Sequence, residues 1–388
     1  DTDGDYAQGQ INIHVKPVTD GTNIEVKNVE TYEDTNNTAE GKDSVTLGLK
    51  VPTIKDNKDQ NIGAKGDHGE RVDYITLKFT NGASVKGAVL EKADGTDIAT
   101  ISNNNQTFKI VIVKDDGSVD TDFHHSNITL GQSGVVYLTK EEYEGLKIQH
   151  AEDNDTDIKI TINVKSYEVD DSGKPLNASD STYADKTNSN LSKTTTANMT
   201  VIIKPVTDDI ELTFDNATVN GEVLGTIDGK TFVFKNEIIK EEGIINFKEL
   251  LTNTSGTTDG TNGTEKGDLD GSEIRWYTVK FEGDSKEHPD YLIINGKTVL
   301  LSNGEYKYEF TASENIKADP DFKVQFPNGY SGGTLKGKLT LHVQDRGVEE
   351  KNDSSKWGDE LKQTVKFEVA VNPVADDATV KVGQPVGY

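Results

Sequence analysis

Apolar and polar residues alternate along short stretches throughout this chain, and that pattern sets the first expectation. Ile158-Lys-Ile-Thr-Ile-Asn-Val164 and Leu335-Lys-Gly-Lys-Leu-Thr-Leu-His-Val343 each place apolar side chains on one face and polar ones on the other. The same period predicts strands at Ser44–Val51, Tyr74–Phe79, Ile244–Phe247 and Trp276–Phe281. One short helix is predicted over Thr139–Gly145, where Thr139 and Glu142 form a capping box and Gly145 a stop. Many short strands between Gly, Asn and Asp turns predict all-β, antiparallel sandwiches rather than alternating βα units. Two stretches, Val169–Ala197 and Thr252–Lys266, read as long polar loops.

The strands belong to an internal repeat. Ile11-Asn-Ile-His-Val-Lys-Pro17-Val-Thr-Asp20, Val201-Ile-Ile-Lys-Pro205-Val-Thr-Asp208 and Phe367-Glu-Val-Ala-Val-Asn-Pro373-Val-Ala-Asp376 match one another. Each is a strand that stops at a proline, which cannot donate to a ladder. Two further registers follow in the same order. Glu33-Asp34 precedes Ser44–Val51 as Glu241-Glu242 precedes Ile244–Phe247; Asp67 and Glu70 precede Tyr74–Phe79 as Asp268, Asp270 and Glu273 precede Trp276–Phe281. The repeat unit is a whole domain. The division read from it is 1–19 as the C-terminal strand of a preceding module, 20–208 and 209–376 as two full sandwiches, and 377–388 as the start of another. The chain therefore reads as an internal piece of a longer protein, its modules arranged as an extended rod.

Composition narrows function. The 41 Lys and Arg stand against 67 Asp and Glu, a net charge of −26. That balance repels nucleic acid and anionic membranes, and it disfavours compactness unless cations neutralise part of it. Cysteine is absent, which excludes disulfides, thiolate metal sites and thiol nucleophiles. No apolar run is long enough to span a bilayer.

With the strand ending V-x-P-V-(A/T)-D, the acidic pair near each module start and Asp268-Leu-Asp270-Gly271-Ser272-Glu273 before an aromatic strand, the sequence resembles the repeated modules of giant type I-secreted (RTX) bacterial adhesins. The first module's Asp67-His-Gly-Glu70 lacks one acid and the serine. The resemblance implies immunoglobulin- or cadherin-like sandwiches strung end to end, calcium at the junctions, and an extracellular place on a bacterial surface. It implies neighbouring modules of the same chain as partners in a monomer, with a host or biofilm glycan or protein as further ligand.

The acidic residues cluster, and calcium takes six to eight oxygens from carboxylates, carbonyls and water. The candidate ligands are Asp1, Asp3 and Asp5; Asp20; Glu33 and Asp34; Asp67 and Glu70; Glu152, Asp153, Asp155 and Asp157; Asp208 and Asp209; Glu241 and Glu242; Asp268, Asp270 and Glu273; Asp345; and Asp376 and Asp377. Asp and Asn also favour turns on their own account, which is the competing explanation of any one cluster.

Signs of catalysis are weak. Gly329-Tyr-Ser331-Gly-Gly333 fits G-x-S-x-G, but a strand rather than a helix is expected after it, against a nucleophile elbow. His14 and His342 are expected on solvent faces of strands, and His124-His125 in a loop beside Asp122. Trp276 is expected in the core and Trp357 at the surface, where an aromatic could stack on sugar. The leading reading is a calcium-stiffened extender of a surface adhesin supporting attachment and biofilm formation. A carbohydrate- or peptide-binding module comes second and a hydrolase third; no enzyme activity is expected.

Overall fold

Alternating stretches become strands, and they pair in the same order twice. The computed structural model describes residues 8–11, 17–33, 44–55, 69–151, 154–176, 191–207, 210–236, 238–255, 272–311, 314, 321–331 and 333–375. The chain divides into Asp1–Glu152 with Thr156–Ile203, and Asp153–Asp155 with Lys204–Tyr388.

The first unit runs β1 (Thr22–Asn23), β2 (Val29–Tyr32), β3 (Ser44–Thr46), β4 (Thr53–Ile54), β5 (Glu70–Phe79), β6 (Val89–Glu91), β7 (Asp97–Thr100), β8 (Gln106–Ile112), β9 (Val135–Leu138), α1 (Lys140–Glu144), β10 (Lys147–Gln149), β11 (Ile158–Glu168) and β12 (Ser192–Lys204). A six-stranded sheet in the order β2-β12-β11-β5-β8-β9 faces a four-stranded one, β3-β10-β6-β7. Between them lies an aliphatic core that includes Ile75, Leu77, Ile148, Ile160 and Ile162.

In the second unit the strands are β13 (Ile210–Phe214), β14 (Thr218–Val219), β15 (Glu222–Val223), β16 (Gly225–Asp228), β17 (Thr231–Phe234), β18 (Ile244–Asn246), β19 (Leu251–Ser255), β20 (Glu273–Phe281), β21 (Tyr291–Ile294), β22 (Lys297–Leu300), β23 (Tyr306–Glu309), β24 (Lys323–Gln325), β25 (Thr334–Asp345) and β26 (Leu361–Ala370). Its two larger sheets are β16-β17-β26-β25-β20-β23 and β18-β24-β21-β22, beside the two-stranded pairs β13-β19 and β14-β15. The run β26-β25-β20-β23 repeats β12-β11-β5-β8, and β18-β24-β21-β22 repeats β3-β10-β6-β7. This core is aromatic instead, with Phe232, Phe247, Tyr277, Phe322 and Phe367 among its members.

The two central hairpins align residue by residue. Phe79 and Phe281 end matched strands, and Ile160 faces Phe79 as Gly337 faces Phe281. β5 holds one more residue than β20, and the irregularity between Val164 and Ser166 absorbs it. Glu70 consequently stands opposite Glu168, as Glu273 stands opposite Asp345.

Several expectations need correction. The sheets are not purely antiparallel: β8 pairs β9, and β17 pairs β26, in parallel. The predicted loop Val169–Ala197 gives up its end to β12, whose polar Ser192–Thr196 segment is held by continuous pairing with β11 rather than by a buried face. β19, Leu251–Ser255, likewise takes the first residues of the second expected loop, Thr252–Lys266. Strand β3 stops at Thr46 because Gly48 adopts a left-handed φ of 62°, although Leu47 and Leu49 remain buried. After Asn246 the chain turns into a single 3-10 turn, Phe247–Glu249.

Helix α1 carries the full capping box, Thr139 and Glu142 each bonding the other's backbone amide. Gly145 ends it without a left-handed turn, at φ −89°. A Cβ there would stand 3.0 Å from Ala93 Cβ and 3.1 Å from Glu141 O, so close approach selects glycine. Thr139→Ala is expected to cost about 1 kcal/mol, read from the urea midpoint of unfolding.

Candidate functional site

Strand register brings carboxylates together at one end of each central hairpin. In the first unit Glu70 and Glu168 are both buried and lie directly across the β5–β11 ladder. The Glu70 carboxylate accepts the amides of Asp20 and Gly21, the latter at 3.2 Å. Burial pushes its pKa up, and those two amides oppose the rise. Thr19 and Thr22, flanking the donating amides, bury hydroxyls that have no hydrogen-bond partner among the described residues.

The second unit repeats the arrangement. Glu273 and Asp345 are buried opposite each other on β20 and β25. Asp345 Oδ1 accepts the Gly347 amide at 2.8 Å, and its own amide donates to Thr207 Oγ1 at 3.0 Å. Arg275 lies 3.7 Å from Glu273, both side chains buried. Gly347, with φ 67°, packs against two more acids: a Cβ there would meet Asp155 Oδ2 at 2.9 Å and Glu350 Oε2 at 3.1 Å. Asp155 Oδ2 accepts the Val348 amide at 2.8 Å.

Of the other acidic residues singled out in the sequence, Asp157 accepts the Ile203 amide at 3.0 Å and acts as a strand cap. Glu33 is buried just beyond β2. Glu241 and Glu242 form the turn before β18, Glu242 with a left-handed φ of 62°. Asp1, Asp3, Asp5, Asp34, Asp67, Glu152, Asp153, Asp208, Asp209, Asp268, Asp270, Asp376 and Asp377 lie outside the described residues, as does His14. Among the described residues no three His, Asp or Glu side chains come together in a way that could hold a metal ion. The carboxylates meet in opposed pairs.

Sequence reasoning missed Glu168, Thr19, Thr207 and Glu350. For Glu168 the signal existed, since it follows Val164 by the interval at which Asp345 follows Leu341.

The aromatic and histidine expectations change more. Tyr277, not Trp276, enters the core; adjacent strand residues face opposite ways. Trp276 lies on the outer sheet face yet is buried, because its ladder partner His342 stacks on it at 5.0 Å and 12°. Lys307 Nζ sits 4.8 Å from the same ring, while the Arg346 guanidinium lies 4.7 Å from Trp357. His342 is thus packed rather than solvated, bonded to Glu360 at 2.7 Å and Thr278 at 2.9 Å. His124 is fully buried, its Nε2 accepting the Ile112 amide at 2.8 Å and its Nδ1 bonding Asp73 O at 2.6 Å. Both ring nitrogens are committed to the fold, which leaves no lone pair for a metal. Gly329 turns at φ 73° and β25 follows directly, so no helix supports Ser331 as a nucleophile.

No protein-family profile and no curated protein matches this sequence. Among solved structures the chain is similar to the adhesin InvE of Yersinia pseudotuberculosis, with 14% identity, TM-score 0.26 and 89% of this chain covered. It spans 58% of that adhesin's length. The BcpA major pilin subunit of Bacillus cereus matches over 80% of this chain and 66% of its own, at 10% identity and TM-score 0.17. SGBP-B of the Bacteroides ovatus mixed-linkage glucan utilization locus, solved with a mixed-linkage heptasaccharide, covers 92% of this chain and 69% of its own, at 12% identity and TM-score 0.13. No helix among the described residues is long and apolar enough to cross a membrane.

Proposed function

We propose that the chain is a calcium-stiffened extender segment of a bacterial surface adhesin, serving attachment and biofilm formation outside the cell. The observation that carries this reading is the recurrence of one buried carboxylate pair, Glu70 with Glu168 and Glu273 with Asp345, at matched ladder positions of two units. Like charges directly opposite on adjacent strands are destabilising, and burial sharpens the cost. A hard cation offsets that repulsion through oxygen ligands alone. The donors of the first unit fit one, two carboxylates with the Thr19 and Thr22 hydroxyls. In the second unit the buried Arg275, 3.7 Å from Glu273, already offsets part of the repulsion and leaves a cation less to do. Glu70, Glu168, Glu273 and Asp345 would contribute carboxylate ligands; calcium would supply charge compensation and cross-link the strand ends. Backbone amides from Asp20, Gly21 and Gly347 keep the carboxylates oriented beforehand.

Folding and ion binding are then coupled by mass action. Extracellular modules bind calcium at about 10⁻⁴–10⁻³ M. An ion at tenfold its Kd adds about 1.4 kcal/mol per site, which is roughly 3–6 °C in Tm for a unit this size. Calorimetry in calcium against chelator is expected to show that rise. Glu168→Gln and Asp345→Asn, each removing one charge from its pair, are expected to erase the increment in their own unit. Equal melting temperatures with calcium and with chelator would sink the reading.

A further inference from the structure

The outer face of the second unit's six-stranded sheet gathers lysines in a chain that is acidic as a whole. Ladder register sets Lys280, Lys338 and Lys366 directly opposite one another on β20, β25 and β26. Adjacent strands lie about 4.8 Å apart, so three ammonium stems rise from a span of about 10 Å. Two residues along, Thr278, Thr340 and Thr364 form a parallel row. Thr278 is buried against His342, whereas the hydroxyls of Thr340 and Thr364 lie 2.9 Å apart at the surface. Lys280 and Lys366 are exposed and Lys338 is half-buried.

Three carboxylates border this row among the described residues: Asp228 at its far end across Thr231, Glu368 beside Lys366 and bonded to Lys336 at 3.1 Å, and Glu282. Glu282 bonds Lys338 at 3.1 Å, and that bond, aided by the charges of Lys366 and Lys336, holds its carboxyl below the usual range. Lys280, Lys336, Lys338 and Lys366 against Asp228, Glu282 and Glu368 leave one positive charge in excess, in a protein with 67 acidic and 41 basic residues.

Folding does not require the row. The matched positions in the first unit are Lys78, Thr161 and Asn198, and there Thr161 Oγ1 donates to Asn198 Oδ1 at 2.8 Å. The second unit has lysine where the same scaffold accepts a neutral hydrogen-bonded pair. Because aligned like charges weaken a sheet, the substitution works against stability.

We propose that this face binds a linear anionic polysaccharide, its sulfates or carboxylates meeting Lys280, Lys338 and Lys366 and its hydroxyls meeting Thr340 and Thr364. Charge complementarity selects an anion, and the adjoining hydroxyl row selects one that alternates charged and neutral polar groups. A duplex nucleic acid fits less well. Its dense phosphate charge calls for more basic contacts than three lysines supply. The proposal is independent of the calcium reading.

The test uses the full chain on immobilised heparin, with neutral dextran as the blank, in chelator and at about 0.15 M salt, where the Debye length is about 8 Å. The variant combines Lys338→Thr with Lys366→Asn and so copies the first unit's row. Wild type is expected to be retained on heparin, not on dextran, and to elute as salt rises. The variant is expected to bind roughly two- to fivefold more weakly for each lysine removed, with a Tm equal to or above wild type. The converse change in the first unit, Thr161→Lys with Asn198→Lys, is expected to add a second heparin site. Absence of retention, retention unaltered in the double variant, or retention that needs calcium would overturn the proposal. Equal binding of duplex DNA, or self-association lost in the variant, would overturn the choice of polysaccharide as occupant.

Discussion

Gly337→Ile is expected to cost the second unit about 3 kcal/mol or more, and Gly337→Ile combined with Phe367→Met to recover most of the loss. Gly337 sits on the core face of β25 between Phe281 and Phe367. A Cβ there would collide with the ring of Phe367. That ring packs edge-on against Phe281 at 6.0 Å and 78°, and against Phe247 at 5.3 Å and 65°. It cannot yield without disturbing both. The first unit solves the same position with different volumes, since Ile160 stands between Phe79 and Met199. Glycine under a phenylalanine and isoleucine beside a methionine are two fillings of one site. Chemical unfolding of the two single variants and the double variant gives the coupling energy as a double-mutant cycle. Additive effects, with no recovery in the double variant, would show that the two fillings are not interchangeable.

Lowering the pH from 7 to 4.5 is expected to remove much of about 3 kcal/mol from the first unit through His124 alone, since every tenfold loss of proton affinity on folding is worth about 1.4 kcal/mol. Burial drives the imidazole's pKa from an ordinary 6.5 down to about 4, against smaller opposing effects from the Asp73 and Val72 carbonyls and Asp120; His125 reinforces it. Between those values the unfolded chain binds the proton and the folded chain does not. Stability is therefore fully present above pH 6.5, falls as pH drops through the window, and levels off below pH 4 for this group. His124→Gln is expected to be less stable at pH 7, because it breaks the bonds to Ile112 and Asp73, yet to have a flatter dependence over pH 6.5–4.5. Urea unfolding of both proteins across that range checks it; parallel curves would exclude His124 as the titrating group.

Much of the fold was legible because one face of each long strand is buried. The period at Ile158–Val164 and Leu335–Val343 located β11 and β25, and the capping box located α1. What failed shares a cause: the information lay in a neighbour rather than in the segment. Ser192–Thr196 has no apolar period and is a strand because β11 pairs with it. Trp276 is covered by a partner 66 positions away, His342, which local alternation could only mark as outward. At the candidate site, the repeat marks Glu70 and Glu273, and Asp345 stands among the acidic candidates without a repeat match. Glu168, the partner of Glu70, is marked by its interval from Val164, but the irregularity near Val164 hides which residue of β5 it faces.

The stacked Trp276–His342 pair also has a spectroscopic consequence. The chain has two tryptophans, Trp276 and Trp357, and both belong to the second unit. Indole emission on denaturation thus follows that unit alone, whereas circular dichroism sums over both. Stacked on His342 and buried, Trp276 loses that contact when the unit unfolds, so its emission reports the opening of this face directly. The molecule carries indole in one half and none in the other, which lets the stability of each be read from a single unlabelled sample.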